Sequence, residues 1–323
     1  MRKKKLIKWF LATVTAGSVF MVSGWSFFKT MVSCTKQKKQ KKKQWFQLSH
    51  TKINHPRDKF EKEYEEGKAW CRNQNMQDCY IQSVDGLRLH AYYLPADDAK
   101  RFVLLSHGYK GSGFGDFANT ARFLHENQCN LLIIDQRCCG ASEGKYITFG
   151  AKEQYDVQKW SYYIAHRNPN KLPIYLYGES MGAAAVLMAS GHKLPREVVG
   201  LVADCGFRSM KAQLQEIASN WFHVHRVKLL LFRVDLFCWI LGGFRMKDAD
   251  TTRALQTNKR PVLFFHGGKD TYVDPRNTRY NYSICRAPKE FVFISEARHL
   301  CSAYEAQELY REKLMNFFSK YDS

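Results

Sequence analysis

A chain of 323 residues with 45 % apolar and 14 % aromatic side chains can bury one sizeable core, which excludes a disordered or fibrous protein. The net charge of +20 suggests a nucleic-acid binder, but residues 1–43 hold twelve Lys or Arg and no acid, leaving 38 bases against 30 acids elsewhere, a net of +8. The excess belongs to a tail, no nucleic-acid motif accompanies it, and nucleic acid is not an expected partner.

In chain order, a basic start, Met1 to Lys5, precedes twenty residues without a charge, Trp9 to Phe28. As a helix these would extend about 30 Å, the thickness of a bilayer core. An uncleaved single-pass anchor at the cell membrane is the expectation. The run is long for a cleaved signal peptide and ends in charges, and Lys29 interrupts the approach to a lipoprotein-type Cys34. Lysines flank both ends, so charge does not decide the side on which the body lies, although the denser tract Lys36–Lys43 favours the cytosol. That tract suits either anionic headgroups or plain solvation.

Residues 44–78 read as a polar linker with a helix around Asp58–Arg72, and Cys79–Ser83 and Leu87–Leu94 as a hairpin about Asp85-Gly86. From Phe102 to the end, short apolar runs alternate with helical patterns, with no internal repeat. Strands are expected at Phe102–Ser106, Leu131–Ile134, Ile174–Tyr177, Val198–Ala203, Val262–Phe265 and Phe291–Ile294. Helices are expected at Phe117–Glu126, Ala151–His166 and Tyr304–Phe318. This alternation predicts a mostly parallel sheet covered on both faces, in which ligands bind beyond the carboxyl ends of the strands. Ten cysteines without a Cys-x-x-Cys pair argue against zinc and thioredoxin-type sites, and read mostly as free, buried thiols of a reducing compartment.

The most informative stretch is Ile174-Tyr175-Leu176-Tyr177-Gly178-Glu179-Ser180-Met181-Gly182, followed by small helix-compatible residues. A strand, a Gly-x-Ser-x-Gly turn and a helix form the context of a nucleophile elbow. The other strands end on His107-Gly108-Tyr109, on Asp135 to Ser142, on Asp204, on His266-Gly267-Gly268-Lys269-Asp270 and, beyond the last, on His299. Serine, acid and histidine therefore occur in that order at strand ends. A serine nucleophile needs an adjacent base, and the base needs a carboxylate to set its tautomer.

These residues resemble the α/β-hydrolase superfamily over about residues 79–320. They are similar to bacterial membrane-anchored serine hydrolases of a group that includes cinnamoyl esterases and monoacylglycerol lipase-like proteins. The resemblance implies Ser180 as nucleophile, Asp270 as acid and His299 as base, with the N–H groups of Met181 and Tyr109 as oxyanion donors. It implies cleavage of small-molecule or lipid acyl esters, with no metal and no cofactor. Asp204 and Asp274 are rival acids, while His107 and His266 read as loop-shaping residues. Glu179, either solvated or paired with a neighbouring loop, is given no catalytic role. Cys138-Cys139 stands where the family usually has Gly and His, which raises the idea of an oxidisable thiol pair. Residues 205–260 read as a cap insertion. Its apolar stretch Val227–Gly243 fits a cap helix on the core, an acyl-pocket wall or a membrane-facing lid, and Arg226, Lys228 and Arg233 argue against a second span. A membrane-proximal lipase or lysophospholipase is the second reading; a peptidase and a non-catalytic interaction protein are weaker ones.

Overall fold

The computed structural model describes residues 21–34 and 57–322. Residues 21–31 form helix α1. After a 3₁₀ turn at Asp58–Phe60 come α2 (Glu61–Asn73), β1 (Gln77–Gln82), β2 (Arg88–Leu94) and β3 (Arg101–Ser106). Then follow α3 (Gly113–Asp116), α4 (Ala121–Glu126), β4 (Cys129–Ile134), α5 (Glu153–His166), β5 (Ile174–Glu179), α6 (Met181–Ala189) and β6 (Val198–Asp204). Between β6 and β7 lie α7 (Met210–Asn220), α8 (Val227–Phe237), a π turn (Cys238–Gly242), a 3₁₀ turn (Met246–Asp248) and α9 (Thr252–Thr257). The chain ends with β7 (Val262–Gly267), α10 (Arg276–Ile284), β8 (Lys289–Ile294), α11 (Ser302–Glu305) and α12 (Gln307–Tyr321).

The eight strands form one sheet in the order β1-β2-β4-β3-β5-β6-β7-β8. β1 pairs antiparallel with β2 and β2 with β4; every other pairing is parallel. Every residue of β3, β4, β5 and β7 is buried, because both faces of a parallel sheet are roofed by helices, whereas β1 at the edge leaves most of its residues exposed. One apolar cluster, around Trp160, Leu176 and Val186, packs beneath α5 and α6, and another, around Phe117, Tyr177 and Phe318, fills the opposite face. Of the expected helix Phe117–Glu126 only Ala121–Glu126 is helical, as α4, with a turn over 117–120, and the expected helix Tyr304–Phe318 is divided between α11 and α12.

A third cluster covers the carboxyl ends of the strands. Residues 9–20 of the expected membrane span lie outside the described residues. Of its remainder, Phe27 and Phe28 are buried against Leu230, Leu231 and Val234 of α8, together with Met31 and Val32 just beyond. Among the described residues no helix is long and apolar enough to cross a membrane. The Ile147 N–H donates to the Val32 carbonyl and the Cys34 N–H to that of Lys145, so residues 32–34 run along 145–147. That pairing brings Cys34 to Cys138, and the two form a disulfide across 104 residues of sequence. The other eight cysteines are buried thiols, so the expectation of free thiols holds for those eight and fails for this pair.

Candidate active site

β5 ends in the elbow. Ser180 has φ 54° and ψ −116°, a backbone conformation that side chains rarely adopt and that persists only where surrounding contacts impose it. The flanking glycines follow from close approach. A Cβ on Gly178 would lie 2.3 Å from the Gly182 carbonyl, and one on Gly182 would lie 1.8 Å from the Ser106 carbonyl oxygen. α6 starts at Met181, directly after the serine, so its first turn directs free N–H groups and the positive dipole end towards the space beside Oγ.

His299 Nε2 lies 3.0 Å from Ser180 Oγ, and His299 Nδ1 lies 2.7 Å from Asp270 Oδ2. A carboxylate only accepts, so Nδ1 carries the proton and Nε2 is left to receive one from the serine. Asp270 is itself fixed: Oδ1 accepts the N–H groups of Tyr272 and Val273, both at 2.9 Å. Burial would raise its carboxyl, but His299 and hydrogen bonding from His266 and His299 outweigh this and hold it well below the usual carboxylate range. Tyr272 packs its ring 4.9 Å from the imidazole of His299. Of 120 residues from Ser180 to His299, the fold thus joins three in one buried chain of hydrogen bonds.

The rival acids have other partners. Asp204 accepts from Ser302 Oγ and Tyr310 O–H, at 3.1 and 3.0 Å. Asp274 pairs with Arg276 at 2.6 Å. His266 bonds Thr278 Oγ1 and the Val273 carbonyl, and so braces the acid loop. His107 ties its loop to the one after β4, accepting the Gln136 N–H at Nε2. The second candidate oxyanion residue, Tyr109, follows Gly108, which lies against Ser180: a Cβ on Gly108 would be 3.2 Å from Ser180 Cβ. Cys138 and Cys139 are not joined to each other. Cys138 bonds Cys34, and burial pushes the Cys139 thiol up to about 12, which keeps it protonated at neutral pH.

Two features need the structure. Glu179 is not solvated: it is buried next to the serine and lies 3.9 Å from Arg57, the paired alternative, and burial together with Asp116 and Asp204 raises its carboxyl well above the usual range. Arg57, in the presumed linker, is 4 % exposed and reaches beneath the site. Neither has a local sequence signal, since the groups they meet are far away in the chain.

The strand order, with a tight strand-to-helix turn between β5 and α6 and a histidine after the last strand, gives this chain the α/β-hydrolase fold. Residues 97–236 match the model of the family described as "Serine aminopeptidase, S33". The chain is 25 % identical over 240 residues to the uncharacterized protein YqkD of Bacillus subtilis, covering 73 % of this chain and 77 % of that one. It is 24 % identical over 262 residues to the "Alpha/beta hydrolase domain-containing protein WAV2" of Arabidopsis thaliana, covering 76 % and 79 %. Among solved structures, the Pyrococcus furiosus esterase Pf2001 superposes with a TM-score of 0.64 at 21 % identity, over 77 % of this chain and 92 % of that one. An acetyl xylan esterase from Paenibacillus sp. R4 gives 0.57 at 17 %, over 80 % and 93 %.

Proposed function

We propose that this protein is a serine hydrolase that cleaves carboxylic esters through an acyl-enzyme on Ser180. The observation that carries the reading is the unbroken path Ser180 Oγ, His299, Asp270 at 3.0 and 2.7 Å. His299 Nε2 takes the hydroxyl proton as Oγ bonds to the ester carbonyl carbon, and the carbonyl electron pair moves onto oxygen. The N–H groups of Met181 and Tyr109 receive that oxyanion; one such donor contributes about 3 kcal/mol in comparable sites. Collapse re-forms the carbonyl and breaks the bond to the alcohol, which leaves with the proton from His299. Water then repeats the sequence and releases the acid. The route uses no metal and no cofactor. The esterases named above are in keeping with the ester reading, and the description of the matched family keeps a peptidase as the alternative. The test is hydrolysis of p-nitrophenyl esters by the wild-type and Ser180→Ala proteins, with fluorophosphonate labelling. Label on Ser180 and loss of turnover in the variant are expected; turnover at the wild-type rate in the variant would refute the assignment.

A second reading, a lipase acting at a membrane surface, is favoured by one specific feature. Phe232, Trp239 and Ile240 of the insertion and Val22 and Trp25 of α1 are large, apolar and exposed. The two stripes adjoin, since α1 meets α8 where Gly24 lies against Arg233 and Trp25 packs 5.4 Å from Phe237. Such a face suits in-plane association with lipid rather than a span. Activity compared across acyl chain lengths, with and without anionic vesicles, decides it: a preference for short chains that vesicles leave unchanged would exclude the lipase.

A further inference from the structure

Arg57 contacts groups in three separate segments: α3, the end of β5 and the residue after His299. Its Nη1 donates to the Gly115 carbonyl at 3.1 Å and its Nη2 to Asp116 Oδ1 at 3.4 Å. Its Nε donates to the Leu300 carbonyl at 3.5 Å, and Nη2 lies 3.9 Å from Glu179 Oε2. Three of these contacts lead on to the site. Asp116 Oδ2 accepts the Gly108 N–H at 2.7 Å and so holds the loop that presents Tyr109. Glu179 is bonded to Ser180. Leu300 is bonded to His299 and has φ 59°, a conformation that needs outside support. The guanidinium is buried, and the Tyr64 ring covers it at 5.1 Å.

We propose that Arg57 is a positioning residue that sets the oxyanion loop, the nucleophile elbow and the base loop in register with one another. This rests on the serine-hydrolase reading above. Arginine suits the task because its rigid fork directs several N–H groups at once, whereas the lysine ammonium is a point charge on a flexible stem. Burying the cation costs desolvation, which Asp116 and then Glu179 offset. The arrangement also gives the segment before α2 a function, since it delivers the cation beneath the sheet's carboxyl edge.

The experiment compares Arg57→Ala, Arg57→Lys and Ser180→Ala in the full chain, using a soluble p-nitrophenyl ester, and repeats the Arg57→Ala assay with added guanidinium. Loose loop geometry is expected to lower kcat roughly ten- to hundredfold with KM little changed, and to slow fluorophosphonate labelling in parallel. Arg57→Lys is expected to stay well below wild type, and guanidinium to restore part of the rate to Arg57→Ala. A folded Arg57→Ala protein with kcat within about twofold of wild type would overturn the inference. So would full activity in Arg57→Lys, which decides the matter if Arg57→Ala does not fold. An active Ser180→Ala protein would instead refute the underlying mechanism, so the two failures are distinguishable.

Discussion

The phenolic O–H of Tyr109 donates to the main-chain carbonyl of Met31 at 2.8 Å, across 78 residues of sequence. The loop proposed to supply an oxyanion donor is therefore tied to the N-terminal segment, and the Cys34–Cys138 disulfide ties that segment to the loop after β4.

Closing so long a loop should stabilise the protein by about 2–4 kcal/mol. Cys34→Ser is expected to melt several degrees below wild type and to be insensitive to dithiols, whereas wild type should lose the same stability on reduction. Calorimetry with and without dithiothreitol measures this. Alkylation in denaturant without reductant should modify eight of the ten cysteines; modification of all ten would show the bond absent.

The choice of acid can be tested separately from the choice of nucleophile. Asp270→Asn should lower kcat about 10³–10⁴-fold, because Asn can present its amide to Nδ1 and favour the wrong imidazole tautomer. Asp204→Asn, which affects a carboxylate bonded to Ser302 and Tyr310, should retain kcat within a few-fold while losing stability. Steady-state kinetics on both variants gives the answer, and equal losses of kcat would remove the distinction.

Asp270 should also leave a mark on stability against pH. Its folded-state pKa is depressed, so its contribution is complete above the unfolded value of about 4 and shrinks as pH falls below that. The stability gap between wild type and Asp270→Asn should therefore narrow between about pH 4 and pH 2. Urea unfolding followed by circular dichroism measures the gap, and a gap constant over that range would contradict the depressed carboxyl.

Gly182→Ala places a methyl carbon within 1.8 Å of the Ser106 carbonyl oxygen, a backbone atom that cannot turn away. A loss of about 2–4 kcal/mol in stability is expected, along with loss of fluorophosphonate labelling. Gly86→Ala, at a turn where an added Cβ would meet nothing within 4 Å, is the control; its φ of 85° should make it mildly destabilising with labelling intact.

Much of this molecule is written locally in its sequence. Val103 to Leu105, Leu131 to Ile134 and Val262 to Phe265 are continuous apolar runs because both faces of a parallel strand are buried, and runs of that kind are visible without a structure. Gly178 and Gly182 announce the elbow because a tight turn constrains its immediate neighbours. What only the tertiary structure decided involves partners remote in the chain. Asp204 and Asp270 are both acids at strand ends, and packing alone gives one to Tyr310 and the other to His299. Cys34 meets Cys138, and Arg57 meets Leu300 243 residues away, because helices and loops from distant segments share one edge of the sheet. Phe27 and Phe28 read as part of an apolar span, yet they are buried against α8. Hydrophobicity determines that such side chains leave water; which apolar surface receives them depends on what the rest of the chain has placed nearby.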